Sequence, residues 1–203
     1  MKKQIGTVMV IVSLLFISLQ MSAQGYKVGD KAIDFSLKNV DGKMVSLKDY
    51  VGSKGFIIVF TCNHCPFSKA YESRILELDK KYAELGYPVI AINPNDVKKS
   101  PDDSFELMQE LAKEKNYSFP YLYDETQEIA KAYGATRTPH AYVLKKESNN
   151  LIVRYIGAID DNADEPENVK IRYIQLAVDA LISGNEVITK DTKAIGCTIK
   201  WKD

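Results

Sequence analysis

The chain has 203 residues, with 27 basic and 27 acidic side chains, so its formal net charge at pH 7 is zero. A balance this even provides no electrostatic basis for binding nucleic acid or an anionic membrane surface, and we expect neither as a partner. The three cysteines are too few to make this a disulfide-scaffold protein. Two of them lie three positions apart and one is left over, a pattern that calls for a chemical explanation.

The first residues have the order of a secretory signal. Lys2 and Lys3 precede an uncharged, mostly apolar run over 5–19, and Ala23 offers a small residue for cleavage. The run is shorter than the about 20 apolar residues that a membrane span needs. We therefore predict a signal peptide over 1–23, a single domain over 24–203 and export, with the periplasm as the destination. An uncleaved membrane anchor remains the alternative.

The rest of the chain alternates strand patterns with helix patterns. A turn at Asp41-Gly42 between 35–37 and 44–47 predicts a small hairpin. Continuous apolar runs or β-branched segments predict strands at 56–60, 89–92, 141–144 and 151–156. Apolar spacings of three and four predict helices at 66–85, 104–115, 126–133 and 167–182. We expect Ser104 or Asp103 to cap the second helix, and the turn-rich pieces 93–96, 100–103, 147–150 and 160–168 to be surface connections.

This order of elements predicts an α/β fold. A central mixed β-sheet would carry helices on both faces, with the hairpin as an N-terminal extension. The arrangement resembles a thioredoxin-like core. No internal repeat or long linker divides the mature chain.

Cys62 and Cys65 carry the predicted chemistry. Thiol–disulfide exchange needs a thiolate that attacks another sulfur and a second thiol that releases the mixed disulfide. Cys62 falls where the buried strand ends and the helix begins, so we expect the helix dipole to lower its pKa. Cys65 is expected one turn inside the helix, able to close a disulfide with Cys62. Pro66 is acceptable in that first turn because its missing N–H has no helical partner.

His64 lies between the two cysteines. If protonated, it would stabilise the reduced form of Cys62 and make the disulfide more oxidising. It could equally be a surface histidine without such an effect. The pair itself could also be a structural disulfide or half of a zinc site, but the remaining ligand candidates are only His64, His140 and Cys197, so we predict no metal and no cofactor.

Several motifs carry a family resemblance. They are segment 28–35, Asp41-Gly-Lys43, Thr61-Cys-Asn-His-Cys-Pro66, and segments 91–96, 119–124 and 196–201. Together they resemble the thioredoxin-fold redoxin/AhpC-TSA group, and within it the peroxiredoxin-like subfamily that carries a CxxC, related to TlpA- and ResA-like oxidoreductases. The resemblance implies an extracytoplasmic enzyme that exchanges disulfides with protein thiols through Cys62 and Cys65.

Thr138-Pro139, directly before the strand at 141–144, completes the resemblance. In the thioredoxin fold such a proline is typically cis and packs against the CxxC. The resemblance then implies that the backbone before Pro139 is free to pair with a substrate, and that Thr138 and Pro139 shape the docking surface.

Two departures from related families bear on the chemistry. A peroxiredoxin holds peroxide with a hydroxyl residue and an arginine. Aligning its reactive cysteine with Cys65 puts Cys62 at the hydroxyl position and leaves Thr61 one position early. Arg137 could be the site arginine or a surface arginine. No acidic residue occurs on the strand at 56–60, where thioredoxins bury a proton acceptor, so the identity of any acceptor stays open.

Cys197 has two interpretations. It could be a third thiol that resolves a disulfide at Cys62 or links two chains. We favour the other, a small packed residue in a terminal strand, since unpaired cysteines are often buried and inert. For the whole protein, disulfide exchange is the leading hypothesis, and a thiol-dependent peroxidase and a metal-binding or metal-delivery module are the alternatives. Electron-flow direction and oligomeric state stay open.

Overall fold

The computed structural model describes residues 25–203, so the predicted signal peptide at 1–23 lies outside the described residues. The strands are β1 (Lys31–Ala32), β2 (Ser36–Asn39), β3 (Met44–Ser46), β4 (Gly55–Phe60), β5 (Val89–Asn93), β6 (Tyr121–Tyr123), β7 (Arg137–Thr138), β8 (His140–Glu147), β9 (Asn150–Gly157) and β10 (Cys197–Thr198). The helices are α1 (Pro66–Tyr82), α2 (Phe105–Glu114), α3 (Glu128–Tyr133) and α4 (Tyr173–Ile182).

Eight strands form one mixed sheet in the order β1-β9-β8-β4-β5-β6-β2-β3. β4, β5 and β6 run parallel to one another, whereas β8 pairs antiparallel with both β4 and β9. All six residues of β4 are buried, as its continuous apolar run predicts for a strand covered on both faces. The predicted mixed sheet is confirmed.

Helices cover both faces of this sheet, also as predicted. Alternate side chains of β4 belong to two separate apolar clusters, since successive side chains of a strand point to opposite faces. One cluster includes Ile75 of α1, Met108 of α2 and Val178 of α4. The other includes Tyr133 of α3 and Ile199 near the C-terminus.

The predicted hairpin is present as β2 and β3, which pair across Asp41-Gly42. Gly42 has a φ of 86°, a left-handed conformation that glycine adopts without steric cost. β2 also pairs with β6, so the hairpin is part of the main sheet. β6 itself was not predicted, because its three residues are too few to show a period.

Two predicted helix boundaries need correction, and one of the two predicted caps of α2 is the one present. α1 ends at Tyr82 and not at 85, and α4 begins at Tyr173 because residues 166–168 form a separate 3-10 turn. Ser104, and not Asp103, caps α2, since its hydroxyl accepts a hydrogen bond from the Leu107 N–H. Within residues 25–203, none of the helices combines the length and apolar character needed to cross a membrane.

One predicted surface loop, 93–96, is buried, and the other, 100–103, is half buried. Asn93, Asn95 and Asp96 of one loop and Ser100 and Asp103 of the other are all at most 5% exposed. Both loops follow the carboxyl end of β5 and fold over the segment that follows β4. Their polar side chains are hydrogen-bonded to one another and to that segment, and these bonds offset the cost of removing the polar groups from water.

Candidate active site

The two cysteines lie at the predicted junction. Cys62 follows the end of β4 at Phe60, and Cys65 is the N-cap of α1 with Pro66 as its first residue. Cys65 therefore stands at the start of the helix and not one turn inside it. The Thr138–Pro139 peptide bond is cis. Because His140 pairs with Phe60, the antiparallel β4–β8 ladder brings Pro139 beside the cysteines.

Cys65 forms a disulfide with Cys197, with 6.2 Å between their Cα atoms, and Cys62 is the free cysteine among the three. The expected Cys62–Cys65 disulfide is thus not the one present, and the favoured interpretation of Cys197 as an unbonded packed residue is wrong. The reason lies in β10, which pairs antiparallel with β7 and sets Cys197 opposite Thr138. The Thr138 carbonyl oxygen lies 3.2 Å from Cys65 Sγ.

The β7–β10 pairing covers the backbone before Pro139, which the family resemblance predicts to be free for a substrate. Thr198 is opposite Arg137 in the β7–β10 ladder, and Cys197 is opposite Thr138. The Arg137 Nη1 group donates a hydrogen bond of 3.0 Å to the Gly196 carbonyl. Arg137 therefore helps to hold the C-terminal strand.

The Cys62 thiol is buried, with 3% of the residue exposed. Its Sγ lies 3.2 Å from Thr138 Oγ1 and 3.7 Å from Ser68 Oγ. Burial raises the pKa of the Cys62 thiol, and the negative charge of Asp103 raises it further. Hydrogen bonds from Thr138, the Cys65 N–H and Ser68 act in the opposite direction. The expected lowering of this pKa is therefore wrong, because desolvation of the thiolate outweighs the hydrogen-bond donors at the helix start.

Asp103 is the acidic group that sequence reasoning did not assign to the site. The side chain is fully buried. Its Oδ1 accepts a hydrogen bond of 2.7 Å from the Asn63 N–H, between the two cysteines, and its Oδ2 accepts 2.7 Å bonds from Ser100 Oγ and Asn95 Nδ2. The sequence signal was weak, since an aspartate after Ser100-Pro101 is typical of an exposed turn.

His64 is held by this carboxylate. Its Nδ1 lies 2.7 Å from Asp103 Oδ2 and 3.0 Å from Ser100 Oγ, and 31% of its side chain is exposed. His64 is therefore attached to a buried carboxylate, and its effect on the Cys62 disulfide stays a prediction. His140, the other histidine, is at the start of β8, where burial lowers its pKa to about 4 and keeps it neutral at pH 7.

Cys62, His64 and Asp103 form a cluster of potential metal ligands whose donor atoms lie within 4.8 Å of one another. The two Asp103 oxygens, however, already accept hydrogen bonds from backbone and side-chain donors. A metal ion would have to displace those donors from a buried carboxylate. The arrangement is better suited to holding a carboxylate and an imidazole near a thiol, with their donor atoms within 4.8 Å of one another.

Comparison with known proteins supports the predicted class. A solved structure of an uncharacterized conserved protein from Geobacillus kaustophilus is 41% identical, covers 88% of this chain and 94% of its own, and superposes with a TM-score of 0.80. The thiol–disulfide oxidoreductase ResA of Bacillus thuringiensis subsp. konkukian is 27% identical over 121 residues, which are 60% of this chain and 65% of ResA. The match thus spans slightly less than two thirds of that relative's length.

The fold is shared more widely. A putative thioredoxin from Neisseria meningitidis superposes with a TM-score of 0.56 at 24% identity, over 77% of this chain and 92% of its own. That likeness confirms the predicted thioredoxin-like fold. The model of the AhpC/TSA family matches residues 28–164 of the 203, and on that match the chain belongs to the AhpC/TSA family.

Proposed function

We propose that this protein is a thiol–disulfide oxidoreductase that exchanges disulfides with protein substrates through Cys62 and Cys65. The observation that carries the proposal is the state of the CxxC. Cys62 is a free thiol while Cys65, three residues on, is in a disulfide. The Cys62 thiol and the Cys65–Cys197 disulfide are therefore held together beside the cis proline. The AhpC/TSA family match and the ResA relative support the same class of reaction.

In the reduced protein, Cys62 attacks a substrate disulfide and forms a mixed disulfide, and the leaving substrate sulfur departs as a thiolate that takes up a proton. Cys65 then attacks Cys62 Sγ, which releases the substrate as a dithiol and leaves a Cys62–Cys65 disulfide. The reverse sequence oxidises a substrate dithiol.

Deprotonation of Cys62 needs a proton acceptor, because burial holds the pKa of its thiol above the ordinary value. The His64 and Asp103 pair is placed for this step, since donor atoms of both lie within 4.8 Å of Cys62 Sγ. We propose Asp103, with His64, as the acceptor that the strand at 56–60 lacks.

The test uses a model protein disulfide, insulin, with dithiothreitol as the reductant. Wild-type protein is expected to accelerate insulin reduction, and Cys62→Ser to reduce the rate to that of dithiothreitol alone. Cys65→Ser leaves the attacking thiol without its resolving partner, so the pre-reduced variant, freed of dithiothreitol before it meets insulin, is expected to accumulate a mixed disulfide that is visible on a non-reducing gel.

Cys62→Ser in the same gel is the matched control, because it retains Cys65 and Cys197 but lacks the attacking thiol. Full activity of Cys62→Ser in the reduction assay, or no mixed disulfide between pre-reduced Cys65→Ser and insulin in the absence of dithiothreitol, would contradict the proposal.

We further propose that the protein acts outside the cytoplasm after removal of 1–23. The basic, apolar and small-residue order of the N-terminus supports this. The expected result is a periplasmic protein whose intact mass is that of a chain beginning at Gln24. A full-length mass in the membrane fraction would indicate an uncleaved anchor, and a full-length mass in the cytoplasm would contradict export.

A further inference from the structure

The C-terminal segment, residues 196–201, fills the docking edge next to the cis proline. Its β10 strand pairs with β7, so Cys197 lies opposite Thr138, the residue whose backbone a substrate strand would otherwise pair with. Gly196 permits this approach. A Cβ at that position would overlap the Thr138 carbonyl oxygen and lie 2.9 Å from the Pro139 nitrogen. The segment therefore occupies the place of an extended substrate, with its cysteine next to Cys65.

A second set of contacts anchors the segment at Lys200. The Gln127 amide, 1% exposed, donates to the Lys200 carbonyl at 2.8 Å and accepts from the Lys202 N–H at 2.7 Å. Gln127 has a φ of 63°, a left-handed conformation that is unusual for a residue other than glycine. The Asp96 N–H donates to the same Lys200 carbonyl at 2.9 Å. These contacts hold the segment in place independently of the disulfide.

One side chain connects this anchor to the active site. Asn95 Oδ1 accepts a 2.9 Å hydrogen bond from the Lys200 N–H, and Asn95 Nδ2 donates a 2.7 Å bond to Asp103 Oδ2. The same Asp103 oxygen lies 2.7 Å from His64 Nδ1. The position of the segment and the carboxylate beside Cys62 are therefore parts of one hydrogen-bond network.

We propose that Cys197 is a third redox residue and that the C-terminal segment is an intramolecular substrate of the Cys62/Cys65 site. The Cys62 thiolate attacks Cys65 Sγ, the Cys65–Cys197 bond breaks, and a Cys62–Cys65 disulfide forms. Cys197 leaves as a thiolate and takes up the proton that Cys62 lost, so no electrons are gained or lost overall.

The exchange is geometrically direct and has a consequence for substrates. Both sulfurs contact Thr138: Cys62 Sγ lies 3.2 Å from its Oγ1, and Cys65 Sγ lies 3.2 Å from its carbonyl oxygen, so the attacking sulfur and the disulfide share one neighbour. Loss of the disulfide leaves the segment held by hydrogen bonds and apolar packing alone, and its separation from β7 opens the docking edge to a protein strand. This inference rests on the proposed function, since it uses the same pair of cysteines.

Peptide mapping of the oxidised full chain, after acid quench and alkylation of remaining thiols, distinguishes the two disulfide isomers. Trypsin places Cys62 and Cys65 together in peptide 55–69 and Cys197 in peptide 194–200. The Cys65–Cys197 isomer links the two peptides and leaves Cys62 alkylated. The exchanged isomer has a disulfide within 55–69 and an alkylated Cys197. Both isomers are expected for wild type in a glutathione redox buffer, and only the linked peptides for Cys62→Ser.

Loosening the anchor should shift the ratio of isomers. Gln127→Ala removes one hydrogen bond to the segment at Lys200 and one to Lys202 just after it, and is expected to raise the ratio of exchanged to linked isomer on the order of tenfold. Glu125→Ala, at an exposed position two residues away, is the matched control and should leave the ratio unchanged. Cys197→Ser is expected to form only the Cys62–Cys65 disulfide.

Two results would overturn the inference. One is an oxidised wild type in which Cys197 is always alkylated. The other is an isomer ratio that does not respond to Gln127→Ala. If either occurs while Cys62→Ser still abolishes insulin reduction, the proposed function stands and only the role of Cys197 falls. If Cys62→Ser instead reduces insulin as fast as wild type, the proposed function itself is contradicted.

Discussion

Replacing Asp103 with alanine is expected to lower the free energy of unfolding by about 3 kcal/mol. The carboxylate is fully buried and is the common acceptor for the Asn63 N–H, Ser100 Oγ and Asn95 Nδ2. Its removal leaves these donors without an acceptor away from water, and each unpaired buried group is costly. Urea unfolding at pH 7 measures the change.

Asp103→Asn separates the charge from the packing. The amide is nearly the same size and retains one acceptor oxygen, so we expect a smaller loss of stability. Because burial first and the Asp103 charge second raise the pKa of Cys62, removing that charge is expected to lower the Cys62 pKa. The pH dependence of Cys62 alkylation in a Cys65→Ser, Cys197→Ser background reports it.

Asp102→Asn, at the exposed neighbouring position, is the matched control and should change neither stability nor thiol reactivity. An Asp103→Ala protein as stable as wild type would contradict the structural role assigned to the carboxylate. A Cys62 pKa that is unchanged in Asp103→Asn would contradict the electrostatic one.

Acidification should destabilise the protein through His140. Burial lowers the pKa of this imidazole from 6.5 to about 4 in the folded state. Between these two pKa values the unfolded chain binds a proton that the folded chain does not, so stability falls as the pH drops from about 6.5 to about 4. At 1.36 kcal/mol per pKa unit, the full loss at the acid end is about 3 kcal/mol.

His140→Phe removes the titrating group and keeps an aromatic ring near Tyr142, whose ring centroid lies 4.8 Å from that of His140. The difference in unfolding free energy between wild type and variant, measured by urea unfolding across this pH range, isolates the histidine from the carboxylates that both proteins share. Wild type is expected to lose about 3 kcal/mol more than the variant. Parallel pH profiles for the two proteins would show that His140 does not couple folding to protonation.

Most of the fold follows from local patterns. The apolar run of β4 and the three-and-four spacing of α1 identify a buried strand and an amphipathic helix, because each period reflects which faces are covered. Cys62 at their junction, and Thr138-Pro139 before the next strand, are visible in the sequence for the same reason. β6 and β10 have three and two residues, too few to show an alternating apolar pattern, and only their pairing with neighbouring strands identifies them.

The features of the candidate site also divide into those that local sequence predicts and those that depend on tertiary packing. By itself, the sequence determined that a CxxC joins a buried strand to a helix, and it predicted that the chemistry belongs to Cys62 and Cys65, because residue types and short spacings carry that information. Only the tertiary structure decided that Cys65 bonds Cys197, since the two are 132 residues apart and meet through the β7–β10 pairing. It also decided the direction of the Cys62 pKa shift and the part played by Asp103. Both depend on which groups are removed from water, and burial is a property of how distant segments pack together.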